Sequence, residues 1–337
     1  MRIEIRPRLP VLALLLFAPA IPELLTGSTP VSNLFFDPIQ FAISFGLDVG
    51  LYGTGALLIR EFVVYYHKGW ASTLLLGAAY GIAEEGFAVH TFFQTSGTPV
   101  GLLGSYGHAF GVNWLWALGL TVFHATYSIA LPILLTQLWF PAVKAARWLD
   151  RGALGLVAFV YLAEVVVFSF LVGHGPDLAV LGLFLAIDAL LIYLAYRAPR
   201  DLLSVRPGPS RLGRWGIATA GTLGFLSWAM VLVLASTGRA PAAAVTAVLF
   251  VAVNLIAVLL VTRRIGTVDL EWSKFYFATG MLAVLFVWDV PVEFSIPGVL
   301  GVAAVFAYLQ YRLRNAMNAR GNPPSPPPSV VGGTPSP

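Results

Sequence analysis

The sequence predicts an all-α, polytopic transmembrane helical bundle of about ten spans with both termini in the cytoplasm. Three observations carry this. The 337-residue chain is 58% hydrophobic and 11% charged, whereas an ordinary soluble domain is about a quarter charged. Its apolar residues fall into runs near the length of about 20 residues that crosses a bilayer. Lysine and arginine collect in every second connection between those runs, as the positive-inside rule requires of cytoplasmic loops.

The apolar segments cover approximately 9–25, 38–60, 70–93, 113–139, 153–172, 178–196, 214–235, 241–262, 274–289 and 294–311. The first follows Arg2, Arg6 and Arg8 and contains "APA", which are features of a secretory signal. Its apolar run continues past Pro19 and Pro22 to Leu25 without a polar cleavage region. That favours a retained first span, with a cleaved signal as the alternative. The second and third segments are joined through Arg60 and Lys68, the fourth and fifth through Lys144, Arg147 and Arg151. Arg197, Arg200, Arg206, Arg211 and Arg214 follow the sixth, and Arg263, Arg264 and Lys274 the eighth. Arg312, Arg314 and Arg320 close the C-terminal end, while the opposite connections hold only Arg239.

Between the third and fourth segments, residues 94–112 hold five glycines among apolar residues, so this connection is re-entrant or folds over the outer face. Residues 318–337 form a proline- and serine-rich tail that cannot bury a core and reads as disordered. The expected organisation is a membrane domain over 1–317 followed by that tail. Its polar core lies in spans two to six (about 38–196), and spans seven to ten (about 214–311) are apolar. The formal charge of +4 sits in topology loops, so the expected partner is the lipid bilayer and not nucleic acid. The absence of cysteine excludes disulfides and cysteine-ligated metals.

Charge inside a membrane is costly, so every such residue is a functional candidate. Asp48, Glu84, Glu85, Glu164 and Asp188 fall near mid-span, with His124 as the basic side chain at similar depth. A single buried acid is readily explained as a neutral group bonded to a neighbouring helix. Two adjacent acids double the cost, which singles out Glu84 and Glu85 as catalytic candidates. Gly77, Gly81 and Glu85 recur at steps of four and share a face, and a Gly-x-x-x-Gly face admits a second helix closely. Glu85 is therefore expected to face the bundle interior, with Glu84 about 100° round near Tyr80. On the next segment Thr121, His124 and Ser128 share a face, and Pro132 deprives the Ser128 carbonyl of its helical partner. His124 and Glu85 are expected to face each other as metal ligands. His90 and His108 lie nearer the outer surface, where either could complete a site.

These residues resemble the CPBP family, which comprises CAAX-type prenyl-protein endopeptidases and bacteriocin-processing proteins. Its pattern is EExxxR on one membrane helix, FxxxH on the next and a later HxxxN or HxxxD. Glu84 and Glu85 match the paired acids and His124 the second motif's histidine. Val89 stands at the arginine position, Leu120 at the phenylalanine position, and His174 is followed four residues on by Leu178. The resemblance implies an intramembrane protease-like bundle in which a glutamate activates water. It also implies that histidine and a second glutamate hold a divalent metal, usually zinc, with a substrate that is a membrane-embedded or lipid-modified peptide. A three-ligand zinc site would draw further on His90, His108 or Asp48. Two other readings stand beside this one. The acids could form the path of a proton- or cation-coupled transporter, or an inert polar core in a non-enzymatic accessory protein.

Overall fold

The computed structural model describes residues 8–95, 100–173, 175–236, 241–292 and 297–321. Arg2, Arg6, His174, Arg239, the start of the tenth apolar segment and the tail beyond Gly321 lie outside the described residues. The chain is an all-α membrane protein. Its first helix, α1 (Arg8–Pro19), runs on through a π-helical turn, Ala20–Leu24. After a one-turn helix comes α2 (Pro38–Tyr65), opened by Pro38 at its first position and by the Asp37 carboxylate, which accepts from the Gln40 amide at 3.1 Å. Both are helix-start signals. Then follow α3 (Trp70–Ile82), which continues as π-helix over Ala83–Ala88, and α4 (Trp114–Trp139). Helices α5 (Arg151–Val172), α6 (Leu178–Arg197), α7 (Arg214–Ser236), α8 (Ala243–Arg264), α9 (Leu270–Val292) and α10 (Val299–Gly321) complete the order.

Among the described residues, seven of these helices (α2 and α4 to α9) are long and apolar enough to cross a membrane. The other three coincide with the first, third and tenth apolar segments. Helix α1 is short, α3 carries two glutamates, and α10 ends in a polar, arginine-bearing half.

Burial divides the bundle. In α4, 61% of the apolar window is buried inside the protein, against 0% in α5 and 11% in α6 and α8. The exposed face of α5 is made of Leu156, Phe159, Leu162 and Phe170, so these peripheral helices present their apolar side chains to lipid. Helix α4 contributes to all three apolar clusters: Leu131 and Leu135 pack with α1, α7, α9 and α10; Ile129 and Ile133 with α1, α2 and α3; Trp116 with α6, α7 and α8.

The glycine-rich connection folds over one end of the bundle. Val100 and Leu103 are buried, and a two-stranded antiparallel hairpin pairs His108 with Asn113 and Ala109 with Val112. Its turn is made by Phe110 and Gly111, both at positive φ. The long helix of the third apolar segment ends at Ala88, short of residue 93, where His90 takes a left-handed conformation (φ 58°) and turns the chain into a short 3-10 helix, Thr91–Phe93.

Candidate functional site

The site is assembled by glycines. A Cβ on Gly77 would stand 2.8 Å from the Ala125 Cα, and one on Gly81 would stand 3.0 Å from the His124 Cβ. Only hydrogen at these positions lets α3 and α4 approach so closely, and that approach brings the acids of one helix onto the histidine of the other. His124 Nε2 lies 3.0 Å from Glu85 Oε1, and His124 Nδ1 lies 3.1 Å from Glu84 Oε2. Nδ1 is also 2.9 Å from Ser128 Oγ, one turn along the same helix. Glu84, Glu85, His124 and Ser128 are all buried.

Both glutamates thus serve the same imidazole, where regular α-helix spacing places them about 100° apart and on different neighbours. Residues 83–88 are wound as π-helix, and the Val89 amide donates to the Glu84 carbonyl five residues back at 2.8 Å. The two acids reach different nitrogens of the ring that lies between them. His124–Ala130 is π-helical too, just before Pro132, whose missing N–H prevents a regular ladder. Two more π-turns face these. Val49–Gly53 carries Tyr52, and Ala20–Leu24, which follows Pro19 and contains Pro22, carries Glu23. The Tyr52 hydroxyl donates to Glu23 Oε1 at 2.5 Å, and its ring lies 6.0 Å from that of His124. Four helices therefore depart from α geometry where their polar side chains meet, as π-turns at functional sites do.

Further donors fix the acids. Thr91 Oγ1 donates to Glu85 Oε2 in a short hydrogen bond and accepts from the Trp116 indole at 3.0 Å. Tyr52 and Tyr80 bear on Glu84, and the Tyr80 ring lies 6.1 Å from that of His124. Glu84 Oε2 is buried and makes no hydrogen bond of good geometry.

The remaining candidates lie apart from the imidazole. Asp48 is buried and accepts from Thr29 Oγ1 at 2.8 Å. Glu164 is half-buried on α5, against Gly50. Asp188 is half-buried on α6. His90 is buried, with Nε2 3.4 Å from Ser169 Oγ. His108 sits in the hairpin, 2.7 Å from Asn113 Oδ1. Glu23 is the residue that reading the sequence passes over. It is enclosed in a run that looks like a signal or a plain first span, and its one mark is a carboxylate between Pro22 and Leu24.

Among the described residues, Glu84, Glu85 and His124 form the group able to hold a metal ion, with one ligand atom from each all within 4.8 Å of one another. The donor set fits. Imidazole with carboxylates suits zinc and similar divalent metals, and two ligands about 2.0–2.1 Å from a tetrahedral ion are separated by little more than the contacts seen here. A ring nitrogen that does not bind the ion can donate to the carboxylate on its side, which fixes tautomer and orientation.

Residues 12–317 match an uncharacterized membrane protein family, and the chain belongs to that family. It matches no curated protein and no solved structure. The family match carries the membrane assignment. The likeness to CPBP proteases rests on Glu84, Glu85 and His124 alone.

Proposed function

We propose that this membrane protein is an intramembrane metal-dependent hydrolase that cuts membrane-embedded or lipid-modified peptides, built on ten spans with both termini cytoplasmic. The observation that carries the reading is the meeting of two glutamates and a histidine, buried and within ligand distance of one another, on helices wound as π-turns at that level.

Glu85 and His124 are the residues that would hold a divalent ion, with Glu84 beside them as the base, zinc being the metal the donors favour. When bound, such an ion supplies Lewis-acid polarisation of a carbonyl oxygen and lowers the pKa of water. The protein does the rest. Thr91 and Trp116 hold Glu85, and Ser128 fixes the imidazole. Glu84 Oε2, which lies 3.1 Å from His124 Nδ1 and makes no hydrogen bond of good geometry, is the atom placed to take a proton from water as the water oxygen bonds to the peptide carbonyl carbon. The same atom returns that proton to the leaving nitrogen as the C–N bond breaks, in general base and then general acid roles. Burial keeps bulk water from competing. Helix α5 separates this level from lipid. It has no buried residue, and its Tyr161 ring lies 6.1 Å from that of Tyr80. A substrate already in the bilayer would enter past α5.

The test compares membranes bearing the wild type with membranes bearing Glu84→Gln by mapping new N-termini among membrane proteins. The reading expects cleavage products in the wild type that the variant lacks at equal protein level. Identical N-termini in both would refute it.

One observation favours a second reading, a proton- or cation-coupled transporter. Polar groups continue away from His124 through Tyr52 and Glu23, whose backbone carbonyl accepts from the Thr29 amide at 3.1 Å, and on through the Thr29 hydroxyl to Asp48. That reading predicts pH-dependent flux through proteoliposomes that Asp48→Asn abolishes. The hydrolase predicts Asp48→Asn cleavage close to wild type.

A further inference from the structure

Far along α2 from the carboxylates, the turn between α2 and α3 and the end of α4 enclose a cavity of about 100 Å³. Its lining includes Arg60, Val63, Lys68, Trp70, Thr73 and Gln137. Three features give it a positive character.

The first is Lys68. Its ammonium donates to the Ala198 carbonyl at 3.3 Å and lies 5.3 Å from the centre of the Tyr196 ring. Among the described residues it has no carboxylate partner. The second is Arg60, 1% exposed, with its guanidinium 3.6 Å from the Trp148 ring centre. Its terminal nitrogens bond Glu61 and the Val143, Lys144 and Ala146 carbonyls, while its buried Nε has no partner. Glu61, the acid beside it, is engaged by Arg60, by the Trp148 amide at 3.0 Å and by Arg147 at 3.8 Å. The third is the start of α3. Gly69 precedes it without a side-chain cap, and the partial positive charge of a long helix's N-terminus favours an anion.

The apolar part of the lining is Val63 and Val64, half-buried near the end of α2, and Ile133, buried against α1, α2 and α3. A soluble anion has no use for such a wall, but the glycerol and first methylenes of a lipid do. We propose that this cavity binds the phosphate of an anionic phospholipid at the bundle end that carries the basic loops, with Lys68 and the α3 amides on the phosphate and the valines along the chains. Basic pockets between helices at that boundary have this capacity. The proposal is independent of the chemistry assigned to His124.

The test uses the whole protein, delipidated in a neutral detergent, with lipid adducts counted by native mass spectrometry. Phosphatidylglycerol, phosphatidylcholine and inorganic phosphate are added separately. The wild type is expected to retain phosphatidylglycerol in preference to phosphatidylcholine, with no comparable retention or thermal stabilisation from inorganic phosphate. Lys68→Gln, which keeps the side-chain stem, is expected to weaken phosphatidylglycerol binding about fivefold, the worth of one cation near an anionic headgroup. Arg214→Gln removes an exposed cation of another basic loop and is expected to leave binding unchanged. Equal retention of the two lipids overturns the proposal. So does unchanged phosphatidylglycerol binding in a Lys68→Gln protein that melts like the wild type. Stabilisation by inorganic phosphate equal to that by phosphatidylglycerol overturns the lipid assignment.

Discussion

A single imidazole between two carboxylates, sealed from water, is an expensive thing for a membrane protein to keep. Buried polar groups are tolerated when each is satisfied, and here satisfaction spreads outward from His124. Ser128 bonds one ring nitrogen, Glu85 the other, Thr91 bonds Glu85, and Trp116 bonds Thr91. Thr91→Val keeps the volume and removes the hydroxyl, so it leaves both Glu85 and the Trp116 indole short of a partner. If Glu85 is a metal ligand, this loss should weaken metal binding about 10–100-fold, the usual cost of deleting an outer partner. Titration against a competing chelator reads that change directly, and an affinity equal to the wild type would place Glu85 outside the ligand set. Glu84, Glu85 and His124 were legible in the sequence because charge stands out in apolar runs. Thr91 and Trp116 were not, because threonine and tryptophan are ordinary near membrane boundaries, and only the reversal of the chain at His90 brings them under Glu85.

At the scale of helices, the close approach of α3 and α4 is the structural cause of the site. The Gly77–Gly81 stripe announced that approach, since glycine spacing of four is visible in the sequence. The π-turns were not visible. Prolines at positions 19, 22 and 132 mark two of them after the fact, but nothing in "AEEGFA" foretells that residues 83–88 widen their turn. The two acids meet the histidine at different nitrogens, Glu85 at Nε2 and Glu84 at Nδ1. Two alanine substitutions separate packing from propensity. Gly77→Ala places a methyl 2.8 Å from the Ala125 backbone and is expected to destabilise by about 1–3 kcal/mol, as overpacking does. Gly46→Ala, also in a helix, meets nothing within 4 Å and is expected to be neutral or to stabilise by up to about 1 kcal/mol. Thermal unfolding of both variants in detergent distinguishes the two effects. Equal behaviour would mean that the helices are not in close contact at Gly77.

At the scale of the whole molecule, burial separates the helices into layers. The central α4 is enclosed, and α5 and α8 stay at the periphery although α5 carries Glu164 and α8 carries Asn254. The alternating basic loops carry the topology expectation, because charge is counted loop by loop. The span count is harder to read from length and composition, since α1, α3 and α10 are short, acidic or polar at one end. With no native cysteine, accessibility can settle the sides. Ser105→Cys in the glycine-rich connection and Ser204→Cys between α6 and α7 should react with an impermeant maleimide from opposite faces of the membrane, Ser105→Cys from outside. Labelling from the same face would refute the proposed topology. The central claim is that the molecule carries one divalent metal on Glu85 and His124, with Glu84 beside it, and elemental analysis of the purified protein tests it most directly. About one equivalent of zinc or a similar metal is expected in the wild type, reduced to background in His124→Ala and Glu85→Gln proteins that remain folded. A wild type loaded with each candidate metal that retains none after gel filtration, or variants that retain as much as the wild type, would contradict it.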